Sequence, residues 1–140
     1  MAARGVVAQF AGRLVSKEYL CLCAGDPLGS SGSVSEPLAM QEVPGLGFRA
    51  VASPQGKEAR TDYEVLEAWV AFGRVVSLLR VRPVTGRRHQ IRAHLSLIGR
   101  PVVSDVLYSP EHFESDRGWC RRLFLHCSRV ALCDGAGEPF

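Results

Sequence analysis

Polar and apolar positions alternate along the chain in blocks that predict its elements. Near the start, Val6, Val7, Phe10 and Leu14 fall on one face of a 3.6-residue period, which predicts a short helix. KEYLCLCAG, Lys17 to Gly25, is an apolar run of strand length, and Gly25, Asp26 and Pro27 stop it. GDPLGSSGS then reads as exposed turn and linker. A weak strand is expected around Val34, followed by a loop from Pro44 to Gly56, where glycine and proline recur. TDYEVLEAWV has a period of two, with Tyr63, Val65, Glu67 and Trp69 on one side and Asp62, Glu64, Leu66 and Ala68 on the other. FGRVVSLLRVRPV continues as its partner strand, with Gly73 near a hairpin turn and Pro83 at the end.

The period changes after Pro83. Thr85 reads as a helix N-cap and Gly86 as the pivot of the chain, with a helix from Arg87 to Ile98 behind them. Ile91, Leu95 and Ile98 form its buried face; His89, Arg92 and Ser96 line up on another. Gly99 and Pro101 supply the stop. RLFLHCSRVALCD predicts a last strand. The order of helix, strands, helix and strand, without internal repeats, predicts one α+β domain over residues 1–140 with a mixed, mostly antiparallel sheet and flanking helices.

Composition narrows the class. A hydrophobic fraction of 46% with 22% charged residues is that of a folded globular chain, not a disordered one. The net charge is only +3, so affinity for a polyanion has to come from local clustering. Arg80, Arg82, Arg87, Arg88, Arg92 and Arg100 supply it, and no acid occurs between Glu67 and Asp105. Arginines at a helix N-terminus are unfavourable, by a few tenths of a kcal/mol each, because that end carries partial positive charge. A bound phosphate or carboxylate reverses the penalty, so the corner reads as an anion site. The bland alternative is a solvated basic face. Five cysteines, an odd number, suggest no disulfide framework. Cys120, Cys127 and Cys133 with His126 lack metal-site spacing, so no metal or other cofactor is expected. No apolar run reaches membrane-spanning length, so no membrane partner is expected either. The first seventeen residues hold Arg4, Arg13 and Lys17 without an acid, a faint likeness to an organelle transit peptide, but the folded-helix reading is preferred. The sequence assigns no compartment.

VRPVTGRRHQIRAHLSLIGRPVVSDVLY closely resembles the signature of the RluA-type pseudouridine synthases: a strand, TGR-x-HQIR-x-H, then a helix ending in GHP and a GD-x-x-Y turn. KEYLCLCAG is similar to the family's K-x-Y strand, GKEARTDYEVL to its K-x-A-x-T-x-Y-x-V-L strand, and RLFLHCSRVAL to its R-x-x-LH segment. Coverage runs from about Phe10 to Phe140. The resemblance implies isomerisation of uridine to pseudouridine in rRNA or tRNA, in which the base is flipped out, cut from its sugar, rotated and rejoined through carbon. It implies that Tyr19 abuts the flipped uracil and that Arg92 pairs with the catalytic aspartate and holds it ionised. Arg87, Arg88 and His89 would face the RNA backbone, with Lys17, Gln90 and Arg100 as further RNA contacts.

The family's nucleophile is the aspartate of an HRLD-x-x-TSG segment, and none of Asp26, Asp62, Asp105, Asp116 and Asp134 stands in that context. Asp105 matches the family's turn instead. Arg100 replaces the histidine of GHP, and Ser104 replaces the glycine before Asp105. The domain is therefore expected to be incomplete in its N-terminal half, with a bare sheet edge and apolar face covered by further chain or by a protein partner. Two readings follow: an enzyme when an upstream catalytic segment completes it, or an inactive RNA-binding or scaffold subunit of a ribonucleoprotein such as a ribosome. A DNA-binding module is disfavoured, since no helix-turn-helix or finger pattern occurs.

Overall fold

The computed structural model describes residues 2–11, 15–26 and 29–132. In chain order the elements are α1 (Ala2–Ala11), β1 (Ser16–Ala24), β2 (Ser31–Val34), β3 (Leu38–Val43), β4 (Gly47–Ala52), β5 (Thr61–Ala71), β6 (Arg74–Pro83), α2 (Gln90–Leu97), α3 (Pro110–Arg117) and β7 (Leu125–Ala131). Five strands form one sheet in the order β2-β5-β6-β1-β7, every pair antiparallel, and β3 and β4 make a separate hairpin. The expected α+β class holds. The first helix is present, with Val7 exposed; the side chain of Phe10, and Leu14 altogether, lie outside the described residues. No described helix is long and apolar enough to cross a membrane.

β1 is apolar throughout its second half because both of its faces are covered there. Cys21 and Cys23 pack with Tyr63, Leu79 and Val81 of the sheet against Ile91 and Leu95 of α2. Leu22 faces the other way, onto Val76 and Val103. Each large aliphatic side chain buried here contributes about 1.5–3 kcal/mol. Burial pushes the Cys21 thiol well up and the Cys23 thiol up to about 12, so both serve as small apolar fillers.

Several expectations need correction. The alternation of β5 breaks at Leu66: Val65 pairs with Leu79 but Glu67 with Leu78, a bulge that reverses the facing of everything beyond it. The segment read as a loop from Pro44 to Gly56 contains β4 and the turn that joins it to β3 in a hairpin. Its glycines mark the turn, where Gly45 and Gly47 take φ of 76° and 89°. α3 went unread because its one buried residue is Asp116, so it shows little amphipathic pattern. The helix expected from Arg87 begins at Gln90, and Thr85 is not its cap. His89 holds the N-cap position in the left-handed region, at φ 54°. Ile91 and Leu95 are buried as expected, whereas Ile98 is only half-buried.

Thr85 has a different task. Its hydroxyl accepts the Arg60 N–H at 2.9 Å and donates to Gln90 Oε1 at 2.5 Å, the atom that also accepts the Arg87 N–H at 3.1 Å. The Gln90 amide donates to the Arg60 carbonyl at 2.8 Å and to Thr61 Oγ1 at 3.0 Å. Thr61 Oγ1 in turn lies 2.8 Å from His94 Nδ1, and His94 Nε2 lies 2.9 Å from the Glu36 carbonyl. A carbonyl only accepts, so Nε2 carries the proton, and burial, which disfavours the charged ring, leaves Nδ1 to accept from Thr61. This buried relay ties α2 to the start of β5 and to the chain before β3. In Gln90→Leu, which removes four of its bonds and strands their partners, unfolding free energy from urea titration should fall by about 3 kcal/mol. Burial holds the His94 pKa below its ordinary 6.5. The unfolded chain therefore takes up the proton first as pH falls. The contribution of the neutral ring is complete above pH 6.5 and is lost as pH drops through the lowered value. Urea titrations across that range should show acid destabilisation that is shallower in His94→Gln.

Candidate functional site

Where β6 ends at Pro83, the chain crosses over the end of β1 before entering α2, and a cavity of ≈ 310 Å³ lies in the angle. Lys17 and Tyr19 of β1, Arg87 and His89 of the crossover, Gln90 and Arg92 of α2, and Leu125 of β7 line it. The sheet explains how residues some seventy positions apart meet. Tyr19 pairs in register with Val81 on β6 and with Cys127 on β7, which puts its ring beside the strand that leads into the crossover. Burial, and then the neighbouring Cys127, raise the Tyr19 hydroxyl pKa, so the phenol stays protonated as an aromatic wall with a polar tip.

Arg92 is held by its own chain. Its Nε donates to Asp105 Oδ2 and its Nη2 to Asp105 Oδ1, both at 2.7 Å, and the Asp105 side chain has no exposed surface. The Tyr108 ring lies under the guanidinium, 5.1 Å from ring centroid to Cζ. Asp105 Oδ1 also accepts the Leu107 and Tyr108 N–H groups at 3.1 and 3.2 Å. Arg92 thus has an anion supplied from downstream in its own chain: Asp105 is both the turn former and the carboxylate beside Arg92. The Tyr108 hydroxyl accepts the Ala50 N–H at 2.7 Å and sits 3.4 Å from His89 Nδ1. Burial, then the charges of Arg92 and Arg88, hold His89 below the ordinary imidazole value.

The structure thus gathers Lys17, Tyr19, Arg87, His89, Gln90 and Arg92 at one cavity. Gln90 is there as scaffold, since it is 3% exposed and its amide is committed to the relay. Arg87 lends one nitrogen to the Glu58 carbonyl at 2.8 Å. Arg88 is exposed beside the cavity and Arg100 lies at the far end of α2, where its guanidinium donates to the carbonyls of Asp26 and Gly99. The dense basic run also thins on inspection: Arg80 pairs with Glu18 and Glu64, and Arg82 with Glu18. The sequence reading missed Asp105 and Tyr108 as site residues. Their spacing in DVLY was visible, but nothing local tied it to Arg92. No group of three or more metal-binding side chains occurs among the described residues, which do not include Cys133.

The profile of a family described as RNA pseudouridylate synthase matches residues 1–97. The ribosomal large subunit pseudouridine synthase C of Vibrio vulnificus is 32% identical over 139 residues, 98% of this chain and 42% of that protein. The dual-specificity RNA pseudouridine synthase RluA of Escherichia coli K12 is 35% identical over 133 residues, 94% and 57%. Among solved structures, human RNA pseudouridylate synthase domain containing 1 superposes with a TM-score of 0.85 at 31% identity, covering 99% of this chain and 58% of that one. The chain thus spans about half the length of the relatives it matches. Over that span the family profile covers residues 1–97 and the sequence identity exceeds 30%, and the chain belongs to the RNA pseudouridylate synthase family, of the RluA type.

Proposed function

We propose that the cavity between Tyr19 and Arg92 receives a flipped uridine of a structured RNA, rRNA or tRNA, and that the chain is part of a pseudouridine synthase completed by a segment bearing the nucleophilic aspartate. The observation that carries this is the meeting of Tyr19 from β1 with Arg87, His89 and Arg92 from the α2 corner. An aromatic wall suits a base removed from its stack, and a basic rim suits the phosphates on either side of it. The reaction rearranges one nucleotide without net oxidation or reduction, so the proposal needs no redox cofactor. Arg87 and Arg88 are the rim, with Lys17 below them. Arg100, tied to two carbonyls, is a weaker contact than its sequence position suggested. Exposed Trp69, Val70 and Val75 at the β5–β6 tip, with β2 covering only Thr61 to Glu64 of β5, support a further segment or protein partner against that end of the sheet. The rest of the supposed apolar face is in part a charged ladder of Glu18, Glu64, Arg80 and Arg82.

The second reading is an inactive RNA-binding or scaffold subunit of a ribonucleoprotein. Its support is that Arg92 already has a carboxylate partner in Asp105 and that no HRLD-type aspartate is among these residues. Tritium release from RNA carrying 5-tritiated uridine separates the two, because C5 loses its hydrogen when it becomes the linkage atom. The 140-residue chain alone is expected to release none. Joined to an aspartate-bearing catalytic segment it should turn over, and Arg92→Ala should abolish that; silence of the joined protein favours the subunit reading. RNA binding itself should weaken with salt, since each neutralised phosphate releases counterion. Replacing Arg87 and Arg88 together by alanine should lower affinity and reduce the slope by about 2 in log–log units, measured by filter binding of a uridine-containing hairpin; an unchanged slope places the contact elsewhere.

A further inference from the structure

We infer that Asp105 is a positioning residue for Arg92, fixing the plane of its guanidinium so that one edge stays available to the cavity. The inference rests on the family reading above and names a residue that reading does not use.

The geometry leaves the guanidinium little freedom. Asp105 is immobilised first: it is 1% exposed, its Oδ1 accepts two backbone N–H groups of its own turn, and its carbonyl accepts the Ser109 N–H at 2.9 Å. A fixed carboxylate then takes Nε and Nη2 of Arg92 as a two-point fork, which sets direction as well as distance. Tyr108, three residues along the same turn, supplies a ring beneath the fork and sets its tilt. Nη1 is the nitrogen that Asp105 leaves unused, and the Arg92 side chain lines the cavity at 15% exposure. An untethered arginine would have to order its long side chain each time an anion arrived; this one is ordered beforehand.

The pair has a second consequence, which gives the inference its test. Asp105 cancels the charge of Arg92, so attraction of the corner for RNA at long range comes from Lys17, Arg87 and Arg88. Asp105→Asn raises the net charge by one. If charge alone governed, the variant would bind RNA more tightly. Positioning predicts the opposite sign, about tenfold weaker binding of the uridine-containing hairpin, the effect of one misdirected charged hydrogen bond. Arginine side-chain ¹⁵N NMR on the same protein reads the cause: a slowly exchanging, downfield Arg92 Nε–H in the natural chain, lost in the variant. Should Asp105→Asn fail to fold, Arg92→Lys keeps charge and partner but replaces the planar fork by a point charge. It should weaken RNA binding to a similar degree. A role of Arg92 through its charge alone, needing no positioned fork, predicts unchanged affinity for Arg92→Lys. Unchanged or tighter binding by a folded variant, with the natural chain binding RNA, overturns the positioning role alone. Absence of RNA binding by the natural chain, with the Arg92 signal protected, instead overturns the family reading beneath it.

Discussion

Burying a carboxylate is costly unless a cation or hydrogen-bond donors meet it, and two are buried among the described residues. Asp105 and Asp116 are each 1% exposed, and each is met by an arginine, Arg92 from α2 and Arg74 from the start of β6. Taking such a group from water costs several kcal/mol, which close pairing and further hydrogen bonds offset. Both aspartates also accept backbone N–H groups: Asp105 those of Leu107 and Tyr108, Asp116 that of Ser104. The stretch from Ser104 to Asp116 is thereby fixed to α2 at one end and to the sheet at the other. The orientation of Arg92 at the cavity follows from that fixture.

Ser104 and His89, close to these pairs, tolerate left-handed backbone at a cost of about 1–2 kcal/mol each for a non-glycine side chain. Ser104, at φ 60°, stands where the family motif has glycine. Its hydroxyl donates to the Cys120 carbonyl and its N–H to Asp116, so the strained position is tied down by bonds on both sides. His89, at φ 54°, turns the chain into α2 in place of the expected cap. The crossover holds this shape because Gln90 reaches back to Thr85 and Arg87.

The arginine cluster shows how tertiary contacts redistribute a linear charge pattern. Arg80 and Arg82 sit opposite Glu64 and Asp62 across the β5–β6 pairing, and Glu18 on β1 completes their ladder. Arg100 closes the far end of α2 on carbonyls. Most of the run is thereby structural, and the basic rim is confined to the corner before α2. Exposed pairs of this kind contribute little to stability, ~0.2–1 kcal/mol. Their effect here is on where positive potential remains.

Local order determined much of this in advance. Apolar runs and turn residues placed β1, β5, β6 and β7, and the spacing of Ile91 and Leu95 placed the buried face of α2, because strand and helix periods are written in neighbouring residues. The motif from Thr85 to His94 marked the corner as the site. Other features depend on partners distant in sequence. The bulge at Leu66 appears only when β5 is laid against β6. Thr85 looked like a cap until Arg60 and Gln90 claimed its hydroxyl. Asp105 looked like a turn residue alone because Arg92, thirteen positions earlier, reaches it only after α2 has packed. A buried charge is paired by whatever cation the fold brings within reach, and that choice is made in three dimensions.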